Sequence, residues 1–227
     1  MINTIIDIYH GNSIDFQKTF DGGIIAIVHK ATQGASFQDS TYKSRRDKAK
    51  QLGFLWGAYH FSTGETVADQ VENFLSFTKP SDDELIALDW EPSDGPDMNL
   101  DQVRSFVQMI KNELGRWPVL YGGSLLRESV GNKHDDILSN CPLWYARYGS
   151  APIGIPTQIW TTYTLWQYTD GNINSTPNPV NTPGVGGADR NVFNGTTEQL
   201  RDAWPFTRKE PGTNHGIGFT TILDTNK

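Results

Sequence analysis

The sequence lacks the features that would place it in several large protein classes. Its single cysteine, Cys141, excludes an intramolecular disulfide and a cysteine-rich metal site. No apolar run approaches the roughly 18 residues of a membrane span, so we expect no membrane insertion. Basic residues are also few, with 19 Lys and Arg against 26 Asp and Glu and a formal net charge of -7. Because nucleic-acid binding needs a basic surface, no nucleic-acid partner is expected.

The N-terminus has no basic segment followed by a long apolar stretch, so no signal peptide is recognisable. If the protein acts outside the cytoplasm, this start favours phage-type release through holes in the membrane or delivery by a dedicated secretion system. The sequence does not decide between these routes.

Short apolar runs alternate with segments of helical periodicity along most of the chain. Eight strands are predicted: Thr4–Tyr9, Ile24–Ala31, Leu55–Phe61, Leu85–Glu91, Val119–Gly122, Leu143–Tyr148, Leu165–Tyr168 and Arg190–Phe193. Helices are predicted over Asp39–Leu52, from Val67 to a stop at Pro80, over Leu100–Leu114 and over Glu198–Trp204.

Repeated strand–helix units favour parallel strands, arranged as a doubly wound sheet or as a closed (β/α) barrel. No G-x-G-x-x-G turn follows the first strand, which excludes the dinucleotide-binding sheet. We therefore predict an α/β, TIM-like barrel with about five βα units followed by three strands. One catalytic domain is expected over residues 1–206, with a loop over Asp170–Ala188 and a C-terminal tail of unknown role at 207–227.

Two acidic residues end the predicted strand Leu85–Glu91. Alternate residues of a strand share a face, so Asp89 and Glu91 point to one side and Trp90 packs under the helices on the other. In a barrel, active sites form at this end of the strands. Mutual repulsion raises one pKa, which places a protonated acid beside an ionised one, as glycoside hydrolysis requires. The alternative is a solvated or salt-bridged pair at the rim.

Two further acids lie at the ends of the outermost strands. Asp7 ends the first strand and Asp189 begins the last. If these strands are neighbours in a closed barrel, both acids face the same mouth as Asp89 and Glu91. The alternative for Asp189 is a turn or strand cap.

Strand-end residues also include candidates for sugar binding. Aromatic rings stack on the apolar faces of sugars, although any single one is more often a core residue. The predicted substrate contacts are Lys30, Tyr59, Tyr121, Trp144, Trp166 and Gln167. His29 and His60 raise the rival hypothesis of a metal-dependent hydrolase, but no H-x-H or H-x-x-x-H pair is present, so no metal or other cofactor is expected. No G-x-S-x-G elbow supports serine hydrolase chemistry either.

Seven segments, in this order, resemble the N-acetylmuramidases of glycoside hydrolase family 25. They are Ile5-Ile-Asp-Ile, His29-Lys-Ala-Thr-Gln-Gly, Gly57-Ala-Tyr-His-Phe, Leu88-Asp-Trp-Glu, Leu143-Trp-Tyr-Ala-Arg-Tyr, Leu165-Trp-Gln-Tyr and Asp189-Arg-Asn-Val-Phe. The resemblance covers roughly residues 3 to 206. Two departures, Tyr9 for a frequent Ser and Gln33 for an acid, affect substrate contacts more than the acids.

The resemblance implies a (β/α) barrel that cleaves the β-1,4 bond between N-acetylmuramic acid and N-acetylglucosamine in peptidoglycan, usually with retention. It makes Glu91 the general acid and Asp89 the carboxylate at the reacting centre, with Asp7 and Asp189 in support. Asp89 either attacks the sugar or assists its N-acetyl oxygen, and the close D-x-E spacing favours assistance.

The expected partner is therefore the bacterial cell wall, and we expect a monomer. An immunity or secretion partner stays open. So does the alternative of a barrel that binds peptidoglycan without cleaving it, although such a module has no need of four acids.

Overall fold

Eight strands close into a barrel in the computed structural model, which describes residues 1–171 and 181–207. Three two-residue strands, β3, β9 and β10, lie outside the barrel wall. In chain order the strands are β1 (Ile2–Ile8), β2 (Ala26–Gln33), β3 (Phe37–Gln38), β4 (Leu55–Phe61), β5 (Leu85–Trp90), β6 (Val119–Gly122), β7 (Leu143–Ala146), β8 (Leu165–Thr169), β9 (Asn181–Thr182), β10 (Gly186–Gly187) and β11 (Asp189–Phe193).

The barrel is mixed, because its last strand runs against all the others. The strands from β1 through β2, β4, β5, β6 and β7 to β8 pair in parallel. The eighth strand, β11, then pairs antiparallel with both β8 and β1 and completes the circle. The prediction of a TIM-like barrel with irregular final strands is confirmed.

Helices cover the outside of the barrel and one of its ends. In chain order they are α1 (Phe16–Asp21), α2 (Tyr42–Gln51), α3 (Val67–Thr78), α4 (Leu100–Leu114), α5 (Ser124–Val130) and α6 (Thr197–Ala203), and a short 3-10 helix covers Leu138–Asn140. The longest, α4, has the termini predicted from sequence. Asn99 and Gln102 form a reciprocal capping box at its start, and Gly115 adopts a left-handed φ of 70° after its end.

Element ends are where the predictions from sequence differ most from the structure. The helix predicted from Asp39 begins only at Tyr42, because the Asp39 carboxylate accepts hydrogen bonds from the N–H and hydroxyl of Thr41 and holds a turn there. The second strand is shifted towards the C-terminus by two residues and reaches Gln33. The short helices α1 and α5 were not predicted, because segments of six and seven residues carry little periodicity.

Two apolar clusters follow from the alternation of side chains along the strands. The inner cluster fills the barrel with residues such as Ile5, Val28 and Ala87, and it includes Leu200 of α6 and Trp204 directly after that helix. The outer cluster lies between the barrel and the helices, and Trp90 belongs to it as predicted. Because α6 follows β11, it covers the end of the barrel opposite the one where the parallel strands finish.

Two sequence predictions fall partly outside the described residues. Of the loop predicted over Asp170–Ala188, residues 172–180 are not described, and β9 pairs with β10 as a small antiparallel hairpin in the remainder. Of the tail predicted at 207–227, only Thr207 is described. Within residues 1–171 and 181–207, no helix is long and apolar enough to span a membrane.

Candidate active site

Asp89 in β5 and Glu91 directly after it lie at the open mouth of the barrel. Leu85 and Ala87 belong to the inner cluster, so Asp89, the next residue of the same parity, also points inward. Glu91 follows immediately after the strand ends and lines the same cavity. Asp89 is 6% exposed, whereas Glu91 is only partly buried. The two carboxyl groups therefore differ in their access to solvent and to a ligand.

The antiparallel direction of β11 brings Asp189 to this mouth. In an all-parallel barrel, the first residue of a strand lies at the opposite end from the active site. Because β11 is reversed, its first residue, Asp189, is the direct register partner of Asp7, the penultimate residue of β1. The structure thus places both acids on the inner face at the mouth.

A cavity of about 120 Å³ joins the four acids. Its lining residues come from seven of the eight barrel strands and from the segments that follow β5 and β7. They are Asp7, Tyr59, Asp89, Glu91, Tyr121, Trp144, Tyr148, Gln167 and Asp189. Acidic groups and aromatic rings on one concave surface suit a sugar ligand, with the acids available for proton transfer.

Asp7 is held by a chain of hydrogen bonds across the barrel. Asn191 Nδ2 donates to Asp7 Oδ2 at 2.7 Å, and Gln167 Nε2 donates to both Asp7 oxygens at 3.1 and 3.2 Å. Behind them, Trp144 Nε1 donates to Asn191 Oδ1, and the Tyr121 hydroxyl donates to Gln167 Oε1. Each outer bond orients its amide so that the N–H groups face the carboxylate. Asp7 is therefore a fixed acceptor.

Burial governs the protonation of this site. Desolvation raises the pKa of Asp7 to about 6, and the donors Asn191 and Gln167 oppose the rise. Desolvation followed by repulsion from Asp7 raises the pKa of Asp189 to about 9. Desolvation also raises the pKa of Asp89 well above its ordinary value, with repulsion from Glu91 as the next cause. The cluster therefore keeps a proton at neutral pH, although that proton belongs to the group of acids as a whole.

Lys30 is a cation that acts on Asp89 and Glu91. Burial raises the pKa of Glu91, and attraction to Lys30 opposes that rise. The same ammonium group also favours the ionised form of Asp89. Lys30 Nζ donates to Gln33 Oε1 at 2.6 Å and lies 4.5 Å from the centre of the Phe61 ring. Because Gln33 is neutral, it does not neutralise the positive charge of Lys30, which therefore attracts Asp89 and Glu91.

Replacing Asp189 with asparagine is expected to stabilise the protein in a pH-dependent way. The folded-state pKa of about 9 lies above the ordinary 3.8, so the folded protein holds this proton more tightly than the unfolded chain. The wild type should therefore lose stability as pH rises from about 4 to about 9, and Asp189→Asn should recover about 1–2 kcal/mol at pH 8 and little at pH 4. The measurement is the free energy of unfolding by urea at several pH values.

A matched control for this experiment is Asp21→Asn, which neutralises an exposed aspartate on α1. It should change stability little at any pH. A gain from Asp189→Asn that is equal at pH 4 and pH 8 would contradict the assigned cause, because only ionisation makes the penalty depend on pH.

The structure brings most of the predicted site residues together, with two exceptions. Lys30 is not part of the cavity wall, although its charge acts on the acids. Trp166 belongs to the outer cluster and donates its Nε1 to the carbonyl of Arg147, so it faces away from the mouth, contrary to the expectation that it contacts substrate. Its neighbour Gln167 points inward because alternate residues of β8 face opposite sides.

The histidines of the rival metal hypothesis also face away from the acids. His29 stacks on Trp56, and His60 stacks on Phe106 and contacts Gln70 in the helix layer. Burial lowers the pKa of each to about 4, so both are neutral at physiological pH. Across the described ranges, no group of three or more His, Cys, Asp or Glu side chains is placed to hold a metal ion.

Two site residues were absent from the sequence prediction. Asn191 orients Asp7, and Tyr148, a residue that is 46% exposed, lines the cavity. Both stand inside segments that carry the family resemblance, Asp189-Arg-Asn-Val-Phe and Leu143-Trp-Tyr-Ala-Arg-Tyr. Strand parity offered a further signal for Asn191, because it lies two residues from Asp189 and shares its face.

Comparison with known proteins points to one family. The sequence profile of "Glycosyl hydrolases family 25" matches residues 6–176, a segment that contains Asp7, Asp89 and Glu91 but not Asp189. The chain is 28% identical to an N,O-diacetylmuramidase of Arthroderma benhamiae, covering 83% of this chain and 80% of that protein. It is 31% identical to an autolytic lysozyme of Clostridium acetobutylicum, and the match covers 74% of this chain but only 51% of that relative.

A solved structure supports the same relationship. The chain is similar to a family GH25 lysozyme from Aspergillus fumigatus with a TM-score of 0.73 and 29% sequence identity, covering 87% of this chain and 96% of that one. Profile, relatives and fold agree, and the four acids stand at the mouth of the same kind of barrel. The chain is therefore a glycoside hydrolase that belongs to glycosyl hydrolase family 25.

Proposed function

We propose that this protein is a muramidase, which hydrolyses the β-1,4 bond between N-acetylmuramic acid and N-acetylglucosamine in bacterial peptidoglycan. The observation that carries the proposal is the placement of Asp89 and Glu91 on one inward face of the barrel mouth, within a segment matched by the family profile. The names of the muramidase and lysozyme relatives support the choice of substrate.

Glu91 is the general acid in this proposal. A group with that role must hold a proton near neutral pH and reach the oxygen of the leaving sugar. Burial raises the pKa of Glu91, and its partial exposure at the junction of two cavities gives it access to a bound glycan. Asp89 lies deeper and is less suited to meet the leaving group.

Asp89 assists the acetamido group of the substrate. Its Oδ1 is buried and accepts no hydrogen bond from any described residue. An unsatisfied buried carboxylate oxygen is costly, and a substrate N–H that reaches it would recover part of that cost. The N-acetyl group of muramic acid offers such an N–H next to its reactive carbonyl. With that carbonyl aligned for attack on the anomeric carbon, the reaction proceeds with net retention.

Asp7 and Asp189 have a supporting role. Asp7 is fixed by three hydrogen bonds from amide groups, and Asp189 lies beside it in register. Together they set the electrostatic environment of the reacting pair, since both raise the pKa of Asp89 by repulsion. Tyr59, Tyr121 and Trp144 form the walls against which sugar rings pack.

The single domain over residues 1–206 would act as a monomer at the bacterial cell wall. Phage-type release and dedicated secretion both remain compatible with this site of action.

Mass spectrometry of digested peptidoglycan tests the proposal directly. Purified peptidoglycan should yield soluble fragments whose new reducing end is N-acetylmuramic acid, which borohydride reduces to N-acetylmuramitol. A new N-acetylglucosamine reducing end would contradict the assigned bond. Peptidoglycan that is bound but releases no fragments would favour the non-catalytic barrel, and loss of turnover on adding a chelator would favour the metal-dependent alternative.

A further inference from the structure

A second cavity adjoins the catalytic cavity and has a different chemical character. Its volume is about 320 Å³, and the two cavities share Glu91, Tyr121 and Tyr148. Its far wall includes two arginines, Arg127 from α5 and Arg147 from the segment after β7. We call this cavity the arginine groove. It extends the mouth of the barrel on the side of β6 and β7.

Neither arginine of the groove is held by a carboxylate of the described residues. Arg127 Nη1 donates to the Tyr145 hydroxyl at 3.0 Å, and this hydroxyl donates to the Ile153 carbonyl at 2.8 Å. The backbone of Arg147 is fixed by a hydrogen bond from its N–H to the Gln167 carbonyl at 3.1 Å. Among residues 1–171 and 181–207, no Asp or Glu forms an ion pair with either guanidinium.

Among the described residues, the groove arginines lack the acid partner that two other arginines of this acidic chain have. The chain has a net charge of -7; Arg46 pairs with Glu84 and Arg104 with Asp135, whereas Arg45 and Arg116 donate to backbone carbonyls. Glu91 shares the arginine groove, but the cation that influences its charge is Lys30. Two half-buried guanidinium groups on one concave wall therefore keep their donors for an anion from outside the chain.

We propose that the arginine groove binds a carboxylate borne by the muramic acid units of the glycan. The inference rests on the proposed function and deepens it. Of the two alternating sugars, only muramic acid carries a lactyl group, whose carboxyl is free in bare strands and is linked to a peptide stem in substituted ones. In substituted strands, the stem supplies carboxylates of its own. The groove shares Glu91 with the catalytic cavity, so such a carboxylate would fix the position of the glycan relative to the scissile bond.

Binding of soluble glycan fragments tests this inference. Four probes separate the sources of the charge. Two are strands stripped of peptides, with free lactyl carboxylates, and strands with intact stems; the other two are the same strands after their carboxylates are converted to methylamides. Calorimetric titrations use the Glu91→Gln background so that the fragments stay intact. The double variant Arg127→Gln/Arg147→Gln is expected to bind carboxylated fragments about tenfold more weakly and amidated fragments with unchanged affinity.

Two controls make the result specific. Arg201→Gln removes an exposed positive charge on α6, away from the groove, and should leave every affinity unchanged. The protein with both groove arginines intact should bind carboxylated fragments more tightly than amidated ones. This comparison does not depend on any substitution in the groove. If the arginines favour the carboxylated over the amidated form of stripped strands, the ligand is the lactyl carboxylate. If they do so only for substituted strands, the ligand is a carboxylate of the peptide stem.

Equal affinity for carboxylated and amidated fragments would overturn the inference. So would a double variant that weakens both kinds equally, because the arginines would then contact sugar or maintain the fold. These binding results are separate from the test of the proposed function. Peptidoglycan can be cleaved at the assigned bond while the arginine groove shows no preference for carboxylates.

Discussion

Replacing Glu91 with glutamine is expected to lower the rate of peptidoglycan cleavage by about 10³-fold, because the amide cannot donate the proton that the leaving sugar needs. Glutamine has nearly the same shape as glutamate, so the barrel mouth should keep its geometry. The variant also removes one of the charges that repel Asp89, so its stability should be equal to or above that of the wild type. The measurement is the release of reducing ends from purified peptidoglycan.

Glu113→Gln is the matched control for this variant, because it makes the same chemical change at an exposed position of α4. Its activity and its melting temperature should equal those of the wild type. A Glu91→Gln protein that is folded and fully active would remove Glu91 from the role of general acid.

Replacing Asp89 with asparagine is expected to lower the same rate by about 10²- to 10³-fold, because the reacting centre loses the charge that stabilises it. If Asp89 acts through the substrate's acetamido group, this loss depends on the presence of that group. We therefore expect Asp89→Asn to lower the rate strongly on N-acetylated glycan and only slightly on chemically de-N-acetylated glycan, which the wild type itself should cleave slowly. The measurement is the cleavage rate of the wild type and of Asp89→Asn, each on N-acetylated and on de-N-acetylated glycan. The four rates form a cycle that shows whether the two losses depend on each other.

Two outcomes would assign Asp89 the role of nucleophile instead. One is that Asp89→Asn lowers the rate on de-N-acetylated glycan by as large a factor as on N-acetylated glycan. The contributions of Asp89 and of the acetamido group would then be independent. The other is a covalent glycosyl adduct on Asp89, seen by mass spectrometry after incubation with a fluorinated substrate analogue. Asp21→Asn again serves as the control for a change of charge at an exposed aspartate.

Local periodicity was enough to predict the parts of the fold that depend on neighbouring residues. The capped helix α4 and the two faces of β5 followed from spacing alone, because capping and strand alternation act over a few residues. The same alternation placed Asp89 and Glu91 together. The ends of the first and last predicted strands added Asp7 and Asp189 as candidates, and the family resemblance implied a supporting role for both.

Which face of a strand points into the barrel was harder to predict. In β8 both faces carry large side chains, so the pattern did not show that Gln167 faces inward and Trp166 outward. Strands buried on both sides lack the contrast between polar and apolar faces that identifies the core side. Closure of the barrel decides the question, because it fixes the rotation of each strand through its neighbours.

By itself, the sequence determined the fold class, the positions of the acids along the chain and the family. The tertiary structure decided how those acids meet. The reversed direction of β11 places Asp189 beside Asp7, the amides of Asn191 and Gln167 hold Asp7, and burial together with mutual repulsion raises the pKa values of the cluster. Only the folded chain removes these groups from water and brings them within reach of one another, and desolvation and Coulomb forces depend on that burial and proximity.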